Sequence, residues 1–541
     1  MNAWVRFIGA LAILHLALVL PDWPGNLVSY SFLRLPVELP LMIVVMLAVP
    51  ARAQWHARWV LTLVLSTVVV LKVANLVTFE LFARPFNILV DPGLTFTALM
   101  TISAGQGVVI AMGAIALSVF VVAAIFVMLW WSISQIGTSI SPLSLRTSMA
   151  SAAMALLLAV PLSNVKFRES WWYIAGWDSS KFAYARATSI IEGLEYDAAF
   201  REELAALEFQ DVSNDVLLKD LRGVDVILIF VEAYGRAAIE EPSIAPSIRA
   251  SLEQFETTLQ AQGFAARSTW MTSPTFGGQS WLAHSTFATG LWVDNQRRYE
   301  SLFVSERETL FHDFSRAGWR TVGVMPQIIY GWLEGQFYGY DKIYAAADLE
   351  YNGPRFDYMT MPDQFTLWAL HKRELTDDNR SPIVAEVGLI SSHLPWTPLP
   401  KVVPWTEIKN GEVFFEARHP RAAIDWTDSE IMRANYTAAI HYELETLESF
   451  VANLVKRRTL FIIVGDHQPI PVVSGDGAPH HVPVHLISND VALIEAVEHW
   501  DWTPGMIPGA FSPVWRMDAM RTRLLDSFTP SVSTSSLPVA P

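Results

Sequence analysis

The sequence contains no cysteine and few charged residues, since Asp, Glu, Lys and Arg make up 17% of its 541 positions. The absence of cysteine excludes disulfide bonds, thiolate metal ligands and thiol nucleophiles. Basic residues are outnumbered, with 38 Lys and Arg against 53 Asp and Glu, and the formal net charge is −15. This negative charge falls mostly after residue 165, which argues against nucleic acid as a partner.

Apolar residues are abundant instead: they make up 52% of the chain, and the mean hydropathy is positive. They concentrate in the first 165 positions, in runs that approach or exceed the roughly 20 residues that cross a bilayer as a helix. We therefore predict an N-terminal bundle of about five transmembrane helices in residues 1–165. The expected spans lie near residues 4–21, 30–50, 59–79, 107–131 and 148–164.

Positive residues in the short loops predict how these spans are oriented. Arg6 lies at the N-terminal end of the first span, Arg52 and Arg58 separate the second from the third, and Arg146 precedes the fifth. These ends are expected in the cytoplasm, and an odd number of spans then places the rest of the chain on the periplasmic side of the inner membrane. The first run is too long for a signal peptide and has no small-residue cleavage site, so we interpret it as an anchor.

The chain after residue 165 divides into three parts by its sequence pattern. Residues 166–220 begin with interleaved aromatic and basic side chains, which suit either the lipid headgroup layer or an amphipathic helix packed on a globular domain. Short apolar runs separated by helix-like stretches follow in residues 221–525 and predict a catalytic α/β domain. The tail, 526–541, is rich in Ser, Thr and Pro and is expected to be disordered.

Polar residues follow four of the predicted strands at the points where these strands end. They are Glu232 after 224–231, Ser280 beyond the turn after 266–272, His393 after 382–390, and Asp466 with His467 after 459–464. Ligands of an open α/β sheet bind beyond the carboxyl ends of its strands. Two carboxylates, one imidazole and one hydroxyl oxygen suit a divalent ion, although each residue alone also has a structural interpretation as a cap, turn or edge residue.

The segment TSPTFGGQSWLAHSTFATG, residues 272–290, contains several hydroxyl groups, and Ser280 is the best placed of them to react. A serine becomes nucleophilic when its proton is removed or its oxygen binds a cation, and a helix N-terminus stabilises the resulting anion. Ser280 follows the Gly277-Gly278 turn and begins a helix-like run. The remaining hydroxyl side chains are expected to cap or pack; they are Thr272, Ser273, Thr275, Ser285 and Thr286.

Five stretches of the sequence resemble the sulfatase-like branch of the alkaline phosphatase superfamily. They are VDVILIFVEAYGR, SPTFGGQSWLAHSTFATGLWVDNQ, YGYDKIY, SSHLPWTPLP and FIIVGDHQP, within about residues 220–500. The layout of several spans before an external domain is similar to that of lipoteichoic acid synthases and lipid A phosphoethanolamine transferases. The resemblance implies a mixed sheet with helices on both of its faces.

The spacing around Ser280 matches this branch in part. In sulfatases the reactive residue precedes a Thr-Gly pair by nine positions, as Ser280 precedes Thr289-Gly290. The sulfatase signature has Pro two positions later and Arg four positions later, where this chain has Leu282 and His284, so conversion to formylglycine is not expected. Lipid phosphotransferases of this branch usually have threonine as nucleophile, and the serine here leaves the subfamily open.

The resemblance also implies roles for individual residues. The implied metal ligands are Glu232, Ser280, Asp466 and His467, with Ser280 also the nucleophile. His393 matches a histidine that binds the substrate phosphate, and either His480 or His481 matches one that protonates the leaving group, unless that pair is purely structural. His284 lies one helical turn beyond Ser280 and is expected either to bind phosphate or to pack, whereas Asp363 is expected to cap a helix.

These roles imply a membrane-anchored transferase that depends on one divalent ion, Mn²⁺ or Zn²⁺ in preference to Mg²⁺ because of the imidazole ligand. It would move a phospho-alcohol group, phosphoglycerol or phosphoethanolamine, from a phospholipid donor to an envelope glycan or glycolipid acceptor through a phospho-serine intermediate. Water in place of the acceptor would make it a phosphodiesterase, phosphatase or sulfatase. A catalytically silent envelope protein is the remaining alternative, and the retention of all four ligands argues against it.

Overall fold

The structure is a computed structural model. It describes residues 3–530 apart from 25–26, 28, 83–84, 89–90, 92–98, 100–102, 104–106, 140–174, 207–208 and 330–331. The fifth predicted span, the start of the predicted interfacial segment and most of the predicted tail therefore lie outside the described residues. By its packing the chain forms two units, Met1–Glu80 with Arg84–Tyr196, and Leu81–Ala83 with Asp197–Pro541.

The first unit is helical. Its helices are α1 (Ala3–Val19), α2 (Glu38–Ala48), α3 (Gln54–Phe82), α4 (Val108–Ser139) and the start of α5 (Asp178–Ala205). Among the described residues, two stretches are long and apolar enough to cross a membrane, Ala51–Leu81 and Val108–Ile136. The first and second predicted spans are shorter apolar helices, so five spans are not confirmed.

The second predicted span, 30–50, is wrong in its extent. Only Glu38–Ala48 is α-helical, whereas Leu35–Pro36 (β1) pairs in parallel with Ala175–Gly176 (β2). Proline has no backbone N–H and disfavours helical geometry in the residue before it, so Pro36 separates the extended segment from the helix. Eleven residues are too few to span the roughly 30 Å of a hydrocarbon core as a straight helix.

The ammonium group of Lys72 joins three elements of this unit. Lys72 is buried on α3, and its Nζ donates to the carbonyl oxygens of Leu18 at 3.1 Å and Leu20 at 2.8 Å, both at the end of α1. It also donates to Ser179 Oγ in the first turn of α5, at 2.9 Å. Three acceptors satisfy the three N–H donors of the ammonium group, which explains how an apolar helix tolerates it.

The second unit alternates strands with helices. Its strands are β3 (Asp225–Val231), β4 (Ala265–Thr272), β5 (Arg320–Met325), β6 (Lys342–Ala345), β7 (Ile383–Leu389), β8 (Thr459–Gly465), β9 (His481–Ser488), β10 (Thr503–Pro504) and β11 (Val514–Arg516). Its helices are α6 (Ala237–Glu240), α7 (Ala245–Ala261), α8 (Ser280–Thr289), α9 (Gln296–Leu302), α10 (Leu310–Arg316), α11 (Asp363–Leu370), α12 (Ser429–Leu454), α13 (Pro471–Ser474), α14 (Val491–Ala496) and α15 (Ala519–Phe528).

Within the described residues these strands form one nine-stranded mixed sheet. Its order is β10-β4-β9-β8-β3-β7-β5-β6, and β11 also pairs with β4. β3 is parallel to both β7 and β8, while β9 runs antiparallel between β8 and β4. The carboxyl ends of β3, β4, β7 and β8 therefore meet at one edge, and β9 begins at that same edge. The predicted mixed α/β sheet is confirmed.

Helices cover both faces of the sheet because side chains alternate along each buried strand. Ile227 and Ile229 of β3 face a core that also contains apolar residues of α7 and α12. Leu228 and Phe230 of the same strand face a second core, which contains apolar residues of α8 and α15. The two cores hold the central strands rigidly, and the loops at their carboxyl edge are thereby fixed in position.

Candidate metal centre and active site

The turn after β3 holds Glu232 at the carboxyl edge of the sheet. Ala233 adopts a left-handed conformation, with φ of 54°, which turns the chain sharply after the strand. Its N–H donates to Asp466 Oδ1 at 2.8 Å, and its carbonyl accepts from the hydroxyl of Tyr436 at 2.8 Å. The backbone beside Glu232 is therefore tied both to the end of β8 and to α12.

The turn between β4 and α8 presents Ser280 at a helix start. Gly277, Gly278 and Gln279 have φ values of 69°, 149° and 65°, a run of positive values that glycine adopts readily and glutamine does not. The N–H of Gly277 donates to the carbonyl of Gln468 at 3.0 Å, which ties the turn to the segment after β8. Ser280 is the first residue of α8, where unpaired backbone N–H groups favour a negative charge.

The end of β8 places a carboxylate and an imidazole side by side. Asp466 Oδ1 accepts from the backbone N–H of His467 at 2.6 Å as well as from Ala233. The Nδ1 of His467 lies 2.8 Å from the carbonyl oxygen of Gln468, so Nδ1 carries a proton and donates it to that oxygen. The Nε2 atom of His467 is thereby left to face Glu232 and Ser280.

The four predicted ligands come together. Ser280 Oγ lies 3.0 Å from Glu232 Oε2 and 3.3 Å from His467 Nε2, and this Nε2 lies 3.2 Å from Glu232 Oε1 and 3.7 Å from Asp466 Oδ2. One ligand atom each of Glu232, Asp466 and His467 fits within 4.8 Å. Ligands bound at about 2.0–2.2 Å to one ion lie roughly 3.0–3.5 Å from each other, so the spacing and the donor types fit a divalent ion.

The titration of this cluster reflects two acids that share one imidazole. Burial alone would raise the pKa of Glu232, but the hydrogen bond and charge of His467, followed by the charge of His393, lower it to about 2. Burial and the nearby charge of Glu232 raise the pKa of Asp466 to about 6. Burial would lower the pKa of His467, but Asp466 and Glu232 raise it to about 9. A proton on His467 therefore balances the negative charge of the two carboxylates in the metal-free protein. A bound cation would balance the same charge in its place.

His393 lies on the loop after β7, outside this set of four. Its Nδ1 donates to the carbonyl oxygen of Leu394 at 2.7 Å, which leaves Nε2 for another partner. Ser392 beside it donates its hydroxyl to the carbonyl of Glu232 at 2.6 Å, and the charge of His393 lowers the pKa of Glu232. The imidazole is therefore near the metal centre without belonging to it.

The expectation that Asp363 caps a helix is wrong. Asp363 is the first residue of α11, and the N-cap residue is Pro362, which makes no side-chain capping bond. The buried carboxylate instead accepts from the backbone N–H groups of Ile390, at 2.9 Å, and Ser391, at 2.6 Å. Asp363 stabilises the loop that leads to His393, because these two amide donors have no strand partner at this point.

His480, just before β9, and His481, its first residue, have different neighbours. The Nδ1 of His481 lies 3.0 Å from a guanidinium nitrogen of Arg236, and because arginine only donates, His481 accepts there. Burial lowers the pKa of His480, and the nearby charge of His467 lowers it further. Of the two candidates, His480 is therefore the one within electrostatic reach of the metal centre.

His284 lies in the second turn of α8 and is mostly buried. Its ring stacks on Phe230 with centroids 3.8 Å apart, and its Nδ1 lies 2.6 Å from Glu386 Oε1.

Ser285, the next residue, donates to the carbonyl of Trp281 at 2.6 Å, and Ser273 donates to the carbonyl of Asp466. These two serines have the packing and bonding roles expected from the sequence.

Sequence reasoning missed Glu386 and Glu443, two buried acids near the site. Glu386 lies in the middle of β7, and Glu443 lies on α12 and accepts from the N–H of Ser392 at 3.0 Å. Glu386 had a recognisable signal, because the run PIVAEVGLI is apolar except for this one acid. Glu443 had none, since it is one of several acids on a long helix and only the tertiary contact distinguishes it.

No protein-family model and no curated protein sequence matches the chain. Several solved structures are similar to it, including the following three. The lipoteichoic acid synthase LtaP from Listeria monocytogenes has 14% identity and a TM-score of 0.39, and the match covers 59% of this chain and 75% of that one. The phosphoglycerol transferase GacH from Streptococcus pyogenes, in complex with sn-glycerol-1-phosphate, has 12% identity, a TM-score of 0.40 and coverages of 61% and 79%.

The third structure is a protein in the alkaline phosphatase superfamily from Vibrio parahaemolyticus. It has 14% identity and a TM-score of 0.36, and the match covers 61% of this chain and 73% of that one.

Proposed function

We propose that the protein is a membrane-anchored, metal-dependent phosphotransferase of the envelope. It transfers a phospho-alcohol group, phosphoglycerol or phosphoethanolamine, from a phospholipid to a glycan or glycolipid on the periplasmic side of the inner membrane. The observation that supports this most strongly is the position of Ser280, whose hydroxyl lies 3.0 Å from Glu232 and 3.3 Å from His467 at the start of α8.

The proposed metal ligands are Glu232, Ser280, Asp466 and His467, and the proposed ion is Mn²⁺ or Zn²⁺. A divalent ion bound there supplies positive charge that favours the serine alkoxide and offsets charge on the phosphoryl oxygens. Glu232 and Asp466 hold their oxygens within one ligand sphere, and the Gln468 carbonyl orients the ring of His467. The unpaired N–H groups at the start of α8 stabilise the same negative charge.

The proposed reaction has two displacements at phosphorus. In the first, Ser280 Oγ attacks the phosphodiester of the phospholipid, and the bond from phosphorus to the diacylglycerol oxygen breaks. In the second, an acceptor hydroxyl attacks the phospho-serine, and the Ser280 oxygen leaves. Each step forms one P–O bond and breaks another, so the reaction needs no energy source beyond the donor.

Two histidines outside the ligand set are assigned to the substrate. His393 is proposed to donate from Nε2 to a phosphoryl oxygen, because its Nδ1 is already bound to the Leu394 carbonyl. His480 is proposed to protonate the leaving alcohol. Burial and the charge of His467 lower its pKa, so the ring takes a proton from solvent before it donates one to the leaving alcohol; in the second displacement it takes up the proton of the acceptor hydroxyl.

Labelled phospholipids test the proposal against its alternatives. The purified protein in detergent would be incubated with Mn²⁺ or Zn²⁺, an envelope glycolipid, and phosphatidylglycerol or phosphatidylethanolamine labelled in the head group. Label on the glycolipid supports transfer, whereas water-soluble label alone would identify a hydrolase. Absence of any movement of label with either donor would contradict an enzymatic role. Ser280→Ala should stop transfer, and Ser285→Ala, which changes a serine of the same helix, should not.

A further inference from the structure

A buried acid in the centre of the sheet is bound from two sides. Glu386 lies in the middle of β7 and is 1% exposed. Its Oε1 lies 2.6 Å from Nδ1 of His284, and its Oε2 accepts from the hydroxyl of Tyr340 at 2.7 Å. A carboxylate in an apolar core is costly unless it is fully hydrogen-bonded, so both bonds are needed to keep it there.

The surroundings of this acid fix both of its partners. Gly323 lies opposite Glu386 on β5, and a side chain there would meet the ring of Tyr340 at 3.1 Å. The missing side chain thus makes room for Tyr340 to reach the carboxylate. On the other side, Phe230 stacks against the ring of His284 at an interplanar angle of 21°. The imidazole is held by one hydrogen bond and one ring contact and has little freedom to rotate.

The register of the sheet gives the direction in which His284 points. Glu386 is level with Leu228, four residues before Glu232 along the same strand direction. The Nδ1 atom of His284 therefore faces the interior of the sheet, and the opposite ring nitrogen, Nε2, faces the carboxyl edge. Among the described residues, no hydrogen bond to Nε2 occurs, and this atom is not buried.

The imidazole of His284 is also close to the metal centre. Its ring stacks with centroids 3.8 Å apart on Phe230, which lies two positions before Glu232 at the end of β3. His284 lies one turn beyond Ser280 on α8, so it approaches the phosphoryl site from the side of the helix. The imidazole is therefore placed to reach a phosphoryl group held at Ser280 without taking the place of a metal ligand.

We propose that Glu386 is a positioning residue, which holds His284 so that Nε2 binds a phosphoryl oxygen of the substrate. The inference rests on the proposed phosphoryl site at Ser280. Glu386 accepts the hydrogen bond of the Nδ1 proton and fixes the orientation of the ring, so that Nε2 is the atom directed at the phosphoryl oxygen and donates to it when it carries a proton. Tyr340 keeps Oε1 of the carboxylate directed at His284 by occupying Oε2.

Binding of inorganic phosphate tests this inference without any turnover. Calorimetry on the full-length protein loaded with Mn²⁺ would compare wild type with His284→Gln, Glu386→Gln and the double variant. Each single substitution should weaken phosphate binding about tenfold, with the affinity for Mn²⁺ unchanged. The double variant should be no weaker than His284→Gln, because Glu386 acts only through that ring. Ser285→Ala, which removes a buried hydrogen bond from the same helix, should leave phosphate binding unchanged.

Two results would overturn the inference. One is unchanged phosphate binding in both single variants. The other is that Glu386→Gln weakens phosphate binding by the same factor in the wild-type protein and in the His284→Gln variant. Glu386 would then affect the site through the stability of the fold and not through His284. The two proposals can fail separately. If substitution of His284 or Glu386 weakened phosphate binding but no head group were transferred from any phospholipid, the proposed function would be wrong and the inference about Glu386 would stand.

Discussion

The hydroxyl oxygen of Ser280 lies 3.0 Å from Oε2 of Glu232, although the residues follow strands that are not neighbours in the sheet. β9 and β8 lie between β4 and β3, and β8 brings Asp466 and His467 to the same point. The site therefore depends on the register of four strands. Such a site is precise because the strands are buried on both faces and move little relative to each other.

The affinity for a divalent ion should increase with pH. The pKa of His467 is raised to about 9, so the metal-free protein holds a proton there that a cation must displace. Release of one proton predicts about a tenfold tighter Kd for Mn²⁺ per pH unit between pH 6 and 9. Calorimetry in two buffers of different ionisation enthalpy would count the protons released. A Kd independent of pH in this range would contradict the assignment of His467 as a ligand.

Substitution of the two adjacent histidines should give different results. His480→Ala should lower the transfer rate by about 100-fold, the usual contribution of a general acid. His481→Ala should change it by less than about threefold, because His481 is bound to Arg236 and lies outside the proposed reaction. The measurement is the initial rate of head-group transfer at saturating metal. Equal losses in the two variants would contradict the assignment of His480 as the general acid.

Gly465, the last residue of β8, should not tolerate a side chain. A Cβ atom at this position would overlap the backbone carbonyl oxygen of Tyr234, and neither backbone has room to move. We expect Gly465→Ala to destabilise the protein by more than about 2 kcal/mol and to weaken metal binding, since Asp466 is the next residue. Gly223→Ala is the control: its φ is 76° and its Cβ would meet no atom within 4 Å, so it should cost only about 1 kcal/mol. Denaturant unfolding measures both, and equal effects would contradict the overlap.

His485 should make the protein sensitive to acid. The ring is fully buried between the hydroxyls of Tyr234 and Ser268, and burial lowers its pKa to about 3. The unfolded chain binds a proton at about 6.5, so between pH 3 and 6.5 it holds more protons than the folded chain. Stability should therefore fall with decreasing pH below 6.5, by up to about 1.4 kcal/mol per pH unit.

The control for this prediction is His485→Gln, which retains a donor and an acceptor but does not titrate. Unfolding free energies of the two proteins at several pH values between 3 and 6.5 give the contribution of the histidine by difference. The variant should lose less stability on acidification than the wild type. Parallel pH profiles would contradict a buried, neutral His485.

The sequence was sufficient for the central strands and for the edge at which the site residues gather, but not for the short strands β6, β10 and β11. Apolar runs such as VDVILIFV and TLFIIVGD are buried on both faces, and such runs indicate central strands of an α/β sheet. The 3.6-residue apolar spacing of residues 427–457 predicts a long helix there, and the structure has this helix at Ser429–Leu454, with Asp428 as its N-cap. These elements can be predicted from the sequence because the apolar pattern of a strand and the cap of a helix each involve residues that are close together in the chain.

The order of the strands and the partners of buried polar groups could not be predicted in this way. β9 lies antiparallel between β8 and β4, a pairing decided by contacts between distant segments. The same limit applies to Glu386, whose partners are 102 and 46 positions away. The choice between His480 and His481 needed the start of β9, because consecutive residues of a strand point to opposite faces.

We expect Ser280 to form a covalent bond to phosphorus, and mass spectrometry of the intact protein would detect this bond. After incubation with Mn²⁺ and phosphatidylglycerol or phosphatidylethanolamine in the absence of an acceptor, the wild-type protein should gain the mass of one phosphoglycerol or phosphoethanolamine group. Ser285→Ala should gain the same mass, and Ser280→Ala should gain none. An unmodified wild-type protein with both donors, or an adduct that persists in Ser280→Ala, would contradict the account.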